Sequence, residues 1–206
     1  MNDDNFPFAD CAEEFGNTTM NLYYSSPSTL AAVSSLLFHT RGALIDSDTT
    51  QPNMEDIQFM DLGCGDGRIV IHMAKAHGIR STGIDFSPAS IAEATENARL
   101  EGVSHLCTFM TEDIMAWESI PSKYTWISAY LPKVVVNRLK GLLERWILAG
   151  DVGAGSDPKL FVSILYEMKG WDHQKLAGRD ENMTLWVADR GTVMSSMEQV
   201  DYKLKK

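Results

Sequence analysis

The chain has 206 residues, the length of one ordinary domain, and its 44% hydrophobic and 22% charged residues are typical of a globular protein. No apolar run approaches the roughly 18 residues of a membrane span. The acidic first 15 residues lack the basic and apolar regions of a secretory signal, and the net charge of −10 disfavours a binder of phosphate backbones.

The three cysteines, Cys11, Cys64 and Cys107, form neither a CxxC pair nor a disulfide framework. Such usage suits a reducing compartment. We therefore expect a cytoplasmic protein with no membrane span, and the acidic N-terminus does not support mitochondrial targeting.

The negative charge is concentrated at the start of the chain. Residues 1–60 contain nine acids and one base, Arg41. This asymmetry is either a solvated acidic arm or a device that attracts a basic substrate. We expect residues 1–20 to be a loosely ordered arm and residues 21–206 to form a single domain.

Helical and strand patterns follow one another along the rest of the chain. Helices are predicted over 27–38, 68–77, 88–101 and 132–149, and a loop over 46–53. Strands are predicted over 57–62, 81–86, 106–111, 124–130, 159–166 and 183–188. Strands that alternate with helices predict an α/β fold, with a mostly parallel twisted sheet and helices on both faces. The last strand follows about 16 residues without helical period, which favours an antiparallel edge strand.

The most informative stretch is FMDLGCGDGRIVIHMA, residues 59–74, in which a predicted strand runs through three glycines into a helix. Such a turn approaches a ligand closely beside the helix N-terminus. A dinucleotide-binding loop would have glycine at position 68, where this chain has Arg68, and there is no P-loop lysine. The loop instead suits a cofactor with an amino-acid tail. Asp61 can orient the ammonium group of that tail, and the backbone of the turn can lie against the tail and ribose at Gly63, Cys64, Gly65 and Gly67. A purely structural turn is the alternative.

Two further acids follow predicted strands at the same edge of the sheet. Asp85, next to Phe86, is placed to accept hydrogen bonds from both hydroxyls of a ribose; the alternative is a helix cap, a role that Ser87 already fills. Asp113 is placed to accept from an adenine amine, with Ile114 against the ring. Glu112 is the less favoured candidate for that role, and an exposed loop acid is the structural alternative.

Together these residues resemble the S-adenosyl-L-methionine site of class I methyltransferases, over residues 57–166. The segments YYSSPSTLAAVSSLL, DLGCGDGRIV, ISAYLPKVVVNRLKGLL, VSILYEMKGW and TLWVADR are similar, in that order, to a family of bacterial homologues and mitochondrial lysine methyltransferases. Those mitochondrial members act on the ATP synthase c-subunit and the adenine nucleotide translocator. The resemblance implies a Rossmann-like fold, S-adenosyl-L-methionine as cofactor and a protein lysine as acceptor. The acidic arm and the short segment between Trp171 and Thr184 depart from the family pattern.

Methyl transfer to an amine requires alignment of the reacting atoms and an unprotonated acceptor. Candidate catalytic residues are Tyr130, Asp66 and Tyr24, with Tyr23 beside it; core packing is the alternative for Tyr130. The sequence Ala129-Tyr130-Leu131-Pro132 lacks the Asn/Asp-Pro-Pro-Tyr motif of adenine and glutamine methylation, and the histidines show no metal-binding spacing.

The favoured partner is a basic protein rather than nucleic acid, and the oligomeric state is not indicated. A small-molecule methyltransferase and a catalytically silent cofactor-binding subunit remain alternatives, and a dehydrogenase is a remote one.

Overall fold

The computed structural model of the chain describes residues 25–45, 54–150, 157–171, 174–177 and 184–204. The predicted acidic arm at 1–20, Tyr23, Tyr24 and the predicted loop at 46–53 lie outside these ranges. So do Cys11 and the residues between 150 and 157.

The described residues form six α-helices, seven strands and two short 3₁₀ turns. The helices are α1 Pro27–Leu44, α2 Arg68–His77, α3 Pro88–Leu100, α4 Lys133–Arg138, α5 Lys140–Leu148 and α6 Arg190–Leu204. The strands are β1 Gln58–Leu62, β2 Arg80–Asp85, β3 Cys107–Thr111, β4 Trp126–Ala129, β5 Leu160–Ile164, β6 Gln174–Ala177 and β7 Thr184–Ala188. The 3₁₀ turns are Met54–Asp56 and Ile114–Ala116.

The strands form one sheet in the order β3-β2-β1-β4-β5-β7-β6. The pairs from β3 through to β5 are parallel, whereas β7 pairs antiparallel with both β5 and β6. The predicted α/β fold with a parallel sheet is therefore confirmed. From β1 the chain adds β2 and β3 on one side, and it then returns to add β4 and β5 on the other side. The carboxyl ends of β1 and β4 therefore form the crevice at which open α/β sheets bind ligands.

Alternating residues along each strand divide the hydrophobic core between the two faces of the sheet. On one face, Phe59 and Trp126 pack with Val33, Leu37 and other apolar residues of α1 and α2. On the opposite face, side chains of β1, β4 and β5 pack against α4, α5 and α6 in a second cluster. A smaller cluster joins α2 to α3. The sheet is thus covered on both sides, as its continuous apolar strands predict.

Local sequence signals set several of the helix ends. Ser26 and Ser87 cap α1 and α3, each accepting a backbone N–H three residues on, and a proline follows each cap. Gly78 ends α2 in the left-handed conformation with φ 68°.

Four features differ from the sequence expectations. Helix α1 continues six residues past Phe38 to Leu44, and its last turn is held by an ion pair between Arg41 Nε and Asp157 Oδ1 at 2.5 Å. The helix predicted as continuous over 132–149 is divided at Leu139, where ψ is −10°. Strand β6 is an additional edge strand, so the segment from Trp171 to Thr184 does accommodate a hairpin. A C-terminal helix, α6, follows β7.

Candidate functional site

The site is built at the switch point between β1 and β4, where Asp61 and Ser128 lie side by side in the parallel register. Both side chains are buried, and the Ser128 hydroxyl donates a hydrogen bond of 2.5 Å to Asp61 Oδ1. A buried carboxylate is costly unless it is neutral or partnered. Burial raises the pKa of Asp61 to about 7; the Ser128 hydrogen bond acts in the opposite direction, and the nearby carboxylates of Asp85 and Asp66 raise it further.

The glycine loop leaves β1 in a tight turn. The N–H groups of Gly63 and Cys64 both donate to the carbonyl oxygen of Ile84, at 2.8 and 2.9 Å, which fixes the loop against the end of β2. A Cβ atom at Gly63 would lie 2.3 Å from Leu131 Cδ2, so glycine allows the turn after β4 to pack on the loop. At Gly65 a Cβ would have no heavy atom within 4 Å, which leaves open space beside the backbone.

Asp85 joins this loop to the end of β2. One carboxylate oxygen accepts from the N–H of Gly65 at 3.0 Å, and the other accepts from the N–H of Ser87 at 2.9 Å. The carboxylate is thereby aligned beside the open space at Gly65. Each carboxylate oxygen can accept more than one hydrogen bond, so both oxygens keep the capacity to bind a hydroxyl.

Asp113 follows β3 and has a structural role that the sequence did not reveal. Its Oδ1 accepts from the N–H of Met115 at 2.9 Å and so caps the 3₁₀ turn Ile114–Ala116. Within that turn Ile114 is buried, and Phe86 packs against the same cluster. The neighbouring Glu112 accepts from Trp117 Nε1 at 2.7 Å instead.

The candidate catalytic residues are differently placed. Asp66 accepts from Arg68 Nε and Nη2, at distances down to 2.5 Å, and is thus the partner of a cation rather than an open base. Arg68 also donates to the carbonyl oxygen of Ser25 at 3.1 Å, which ties the segment before α1 to the start of α2. Tyr130 follows β4 directly, half-buried against the cluster on the α1 side. Tyr24 is not among the described residues.

Cys64 is buried inside the glycine loop. Burial raises the pKa of its thiol far above the ordinary value, with further increases from the carboxylates of Asp61 and Asp85. The thiol is therefore neutral at physiological pH and packs as a small apolar group.

Three contacts in this region were not predicted from the sequence. Ser128 bonds to Asp61, Leu131 packs on Gly63, and Asn97 Nδ2 donates to the carbonyl oxygen of Asp66 at 3.0 Å. Ser128 could have been predicted as a site residue, because it is a small polar residue in the otherwise apolar strand β4. Asn97 carried no such signal, because it lies 31 residues from its partner, in the last turn of an ordinary helix.

The arrangement fits the cofactor that the sequence suggests. The open space at Gly65 beside the aligned Asp85 carboxylate matches a ribose diol, and the buried Asp61 carboxylate matches an ammonium group. Among the described residues, no group of three or more His, Cys, Asp or Glu side chains is arranged to hold a metal ion. None of the helices in those ranges is both long and apolar enough to cross a bilayer.

Comparison with known proteins agrees with this reading. The family model described as "ANTKMT methyltransferase domain" matches residues 61–175. A protein-lysine N-methyltransferase of Saccharolobus islandicus (strain REY15A) is 29% identical over 125 residues, which cover 60% of this chain and 71% of that protein.

Solved structures share the fold. An RNA methyltransferase from Salinibacter ruber, in complex with S-adenosyl-L-homocysteine, is similar with a TM-score of 0.59 and 24% identity, covering 80% of this chain and 92% of that one. Magnesium protoporphyrin IX methyltransferase from Synechocystis PCC 6803, with bound S-adenosylmethionine, gives a TM-score of 0.51 at 15% identity, covering 89% and 90%. On the family match and the fold together, the chain belongs to the ANTKMT methyltransferase domain family and is an S-adenosylmethionine-dependent methyltransferase.

Proposed function

We propose that this methyltransferase modifies a lysine side chain of a protein. The observation that carries the proposal is the similarity to the protein-lysine N-methyltransferase of Saccharolobus islandicus, which extends over 71% of that protein. The sequence Ala129-Tyr130-Leu131-Pro132 also lacks the motif typical of adenine and glutamine acceptors. The excess of acids in residues 1–60 supports a basic substrate segment around the acceptor lysine.

The cofactor is held, in this proposal, by the carboxyl ends of β1, β2 and β3. Asp85 binds the ribose hydroxyls, Asp61 binds the ammonium group, and Asp113 binds the adenine amine with Ile114 and Phe86 against the ring. The backbone of Gly63, Cys64, Gly65 and Gly67 lies against the amino-acid tail and ribose. When bound, S-adenosylmethionine supplies a methyl group activated by a positively charged sulfur.

The protein's contribution to the reaction is positioning and desolvation. A lysine that enters the crevice loses part of its hydration, which lowers the pKa of the amine and favours the unprotonated nucleophile. Tyr130 stands at the carboxyl end of β4, where its hydroxyl can orient that amine. Asp66, paired with Arg68, orders the loop at the mouth of the crevice. Tyr24 is a further candidate for the acceptor wall.

The cofactor assignment is tested by Asp85→Asn. The variant keeps a single oxygen at this position, so we expect S-adenosylhomocysteine to bind at least tenfold more weakly in calorimetry. Asp189→Asn is the matched control, because the Asp189 carboxylate likewise accepts from a backbone N–H, that of Thr192 at 2.8 Å, but lies just before α6. Equal affinity in the Asp85 variant and the wild type would remove Asp85 from the cofactor site.

The acceptor is tested with an extract from cells that lack this protein. The extract is incubated with the enzyme and an isotope-labelled methyl donor, and the labelled material is separated by mass. We expect the label in a protein, on a lysine identified by peptide mass spectrometry. Label in the low-mass or nucleic-acid fraction would contradict a protein acceptor.

The role of Tyr130 is tested by Tyr130→Phe, which removes the hydroxyl and little volume. We expect a fall in kcat of tenfold or more with unchanged cofactor affinity. Tyr124→Phe serves as control, because the Tyr124 hydroxyl is buried and bonds to Thr82 at 3.2 Å within the core. A Tyr130→Phe enzyme with full kcat would show that Tyr130 only packs.

A further inference from the structure

The outward face of α4 and α5 is basic, in contrast to the chain as a whole. Residues 133–148 carry four cations against one acid, in a protein of net charge −10. We call this surface, together with the loop after β5, the basic strip; it consists of Lys133, Arg138, Lys140, Arg145 and Lys169. Four of the five side chains are exposed, and Lys140 is half-buried.

Of the acids near the basic strip, Glu144 is engaged, whereas Glu118 and Glu167 are exposed. Glu144 Oε1 accepts from Trp171 Nε1 at 3.0 Å and lies 3.5 Å from Lys140 Nζ. Arg145 donates to a backbone carbonyl, that of Glu118, at 3.1 Å. Within the described ranges, no carboxylate lies within 4 Å of the side-chain nitrogens of Lys133, Arg145 or Lys169.

The exposed cations of α2 and α3 are paired with carboxylates. On α2 and α3, Lys75 pairs with Glu101 at 2.5 Å and Arg99 pairs with Glu96 at 2.7 Å. These pairs cancel the local charge. The basic strip therefore presents a positive potential that those helices do not.

The basic strip begins at the proposed acceptor crevice. Lys133 is the first residue of α4 and lies three positions after Tyr130. The loop after β5 joins the same surface, because the N–H of Lys169 donates to Asn137 Oδ1 at 2.8 Å. Helices α4 and α5, divided at Leu139, then carry the strip away from the crevice. The distance from Lys133 to Arg145, about twelve residues further along the chain, is at most roughly 18 Å, at about 1.5 Å per residue.

We propose that the basic strip is a docking surface for an acidic segment of the protein substrate, separate from the basic segment around the acceptor lysine, and that this docking holds the lysine at the crevice. Charge complementarity selects an anionic partner. An acidic protein segment is favoured over a single-stranded nucleic acid, because no aromatic residue is among the large exposed hydrophobic residues of the described ranges to stack with bases. It is favoured over a membrane, because none of those exposed hydrophobic residues lies on α4 or α5.

The inference rests on the proposed protein acceptor, but its test requires no methyl transfer. A fluorescent peptide of eight alternating Glu and Ser residues is titrated with the protein, and binding is followed by anisotropy at two salt concentrations. We expect salt-sensitive binding that weakens at least fivefold in Lys133→Ala/Lys169→Ala. The matched control, Lys75→Ala/Arg99→Ala, removes the same charge from α2 and α3 and should bind within twofold of the wild type.

Several outcomes would overturn the proposal. If the acidic peptide binds equally weakly to both double variants, its binding depends on the overall charge of the protein and not on the basic strip. Unchanged binding in the Lys133/Lys169 variant would remove the basic strip from recognition. Strip-dependent binding of a labelled RNA octamer or of phosphatidylserine vesicles, without binding of the acidic peptide, would assign the surface to a different partner. A non-protein acceptor with intact peptide binding would instead refute the proposed function alone.

Discussion

The buried pair of Asp61 and Ser128 gives a prediction about pH. The folded state raises the pKa of Asp61 from 3.8 to about 7, mainly because of burial. Between these two values, the folded protein holds a proton that the unfolded chain has lost. The free energy of unfolding therefore falls as the pH rises from about 4 to about 7, by on the order of 4 kcal/mol at roughly 1.4 kcal/mol per unit of pKa.

Replacement of Asp61 by Asn removes this dependence. The amide is neutral at every pH, and its oxygen can still accept the Ser128 hydroxyl, which lies 2.5 Å from Asp61 Oδ1 in the wild type. We expect Asp61→Asn to gain stability relative to the wild type by up to about 4 kcal/mol at pH 8, and by only about 1 kcal/mol at pH 4.5. Urea unfolding of the cofactor-free protein at the two pH values measures both quantities.

A second variant shifts the transition rather than removing it. The Ser128 hydroxyl favours the charged carboxylate and so lowers the pKa of Asp61. In Ser128→Ala the loss of stability should therefore move to higher pH. If the stability difference between Asp61→Asn and the wild type is the same at pH 4.5 and pH 8, the raised pKa and the reasoning from burial are refuted.

Two further variants test the packing around the site. Gly67→Ala should lower the free energy of unfolding by about 2–4 kcal/mol, because φ is +80° and the new Cβ would lie 2.8 Å from Ala94 Cβ. Gly78→Ala is the control, because φ is +68° there but the space around it is open. Its free energy of unfolding should fall by only about 1–2 kcal/mol in the same urea assay. Arg41→Met should cost about 3–5 kcal/mol, because it leaves the Asp157 carboxylate buried without a cation, its Oδ2 atom already lacking a hydrogen-bond partner. Adding Asp157→Leu should restore most of that loss in thermal unfolding, and a double variant no more stable than Arg41→Met would contradict this account.

The features that could be predicted from the sequence are those with local signals. Glycines at 63, 65 and 67 between a strand and a helix located the loop, and Ser87-Pro88 located the start of α3. Alternating strand and helix patterns were enough to predict the parallel sheet, because each strand is apolar and bounded by turn residues. Asp85 was predicted as a site residue from its position at the end of β2; the structure shows its carboxylate bonded to the N–H of Gly65 in the glycine loop, and its role in cofactor binding stays a prediction.

The features that escaped prediction depend on contacts distant in the sequence. Arg41 and Asp157, which hold the last turn of α1, are 116 residues apart. Strand β6 has four residues without an alternating pattern and is a strand because β7 pairs with it. The break at Leu139 interrupts a continuous apolar stripe, so periodicity alone could not reveal it. The roles of Asp113 and Asp66 depend on hydrogen-bond partners that only the folded chain defines.

The boundary between β1 and β4 also separates the residues proposed for the cofactor from most of those proposed for the acceptor. The residues proposed for the cofactor all lie between positions 61 and 114, whereas Tyr130 and the basic strip lie after position 129; of the residues proposed for the acceptor side, only Asp66 and Tyr24 lie earlier. Because the two sets of residues lie on different parts of the sheet, substitutions on the acceptor side can accumulate without disturbing the cofactor side. Chains of this architecture can therefore diverge in what they modify while they retain one methyl source.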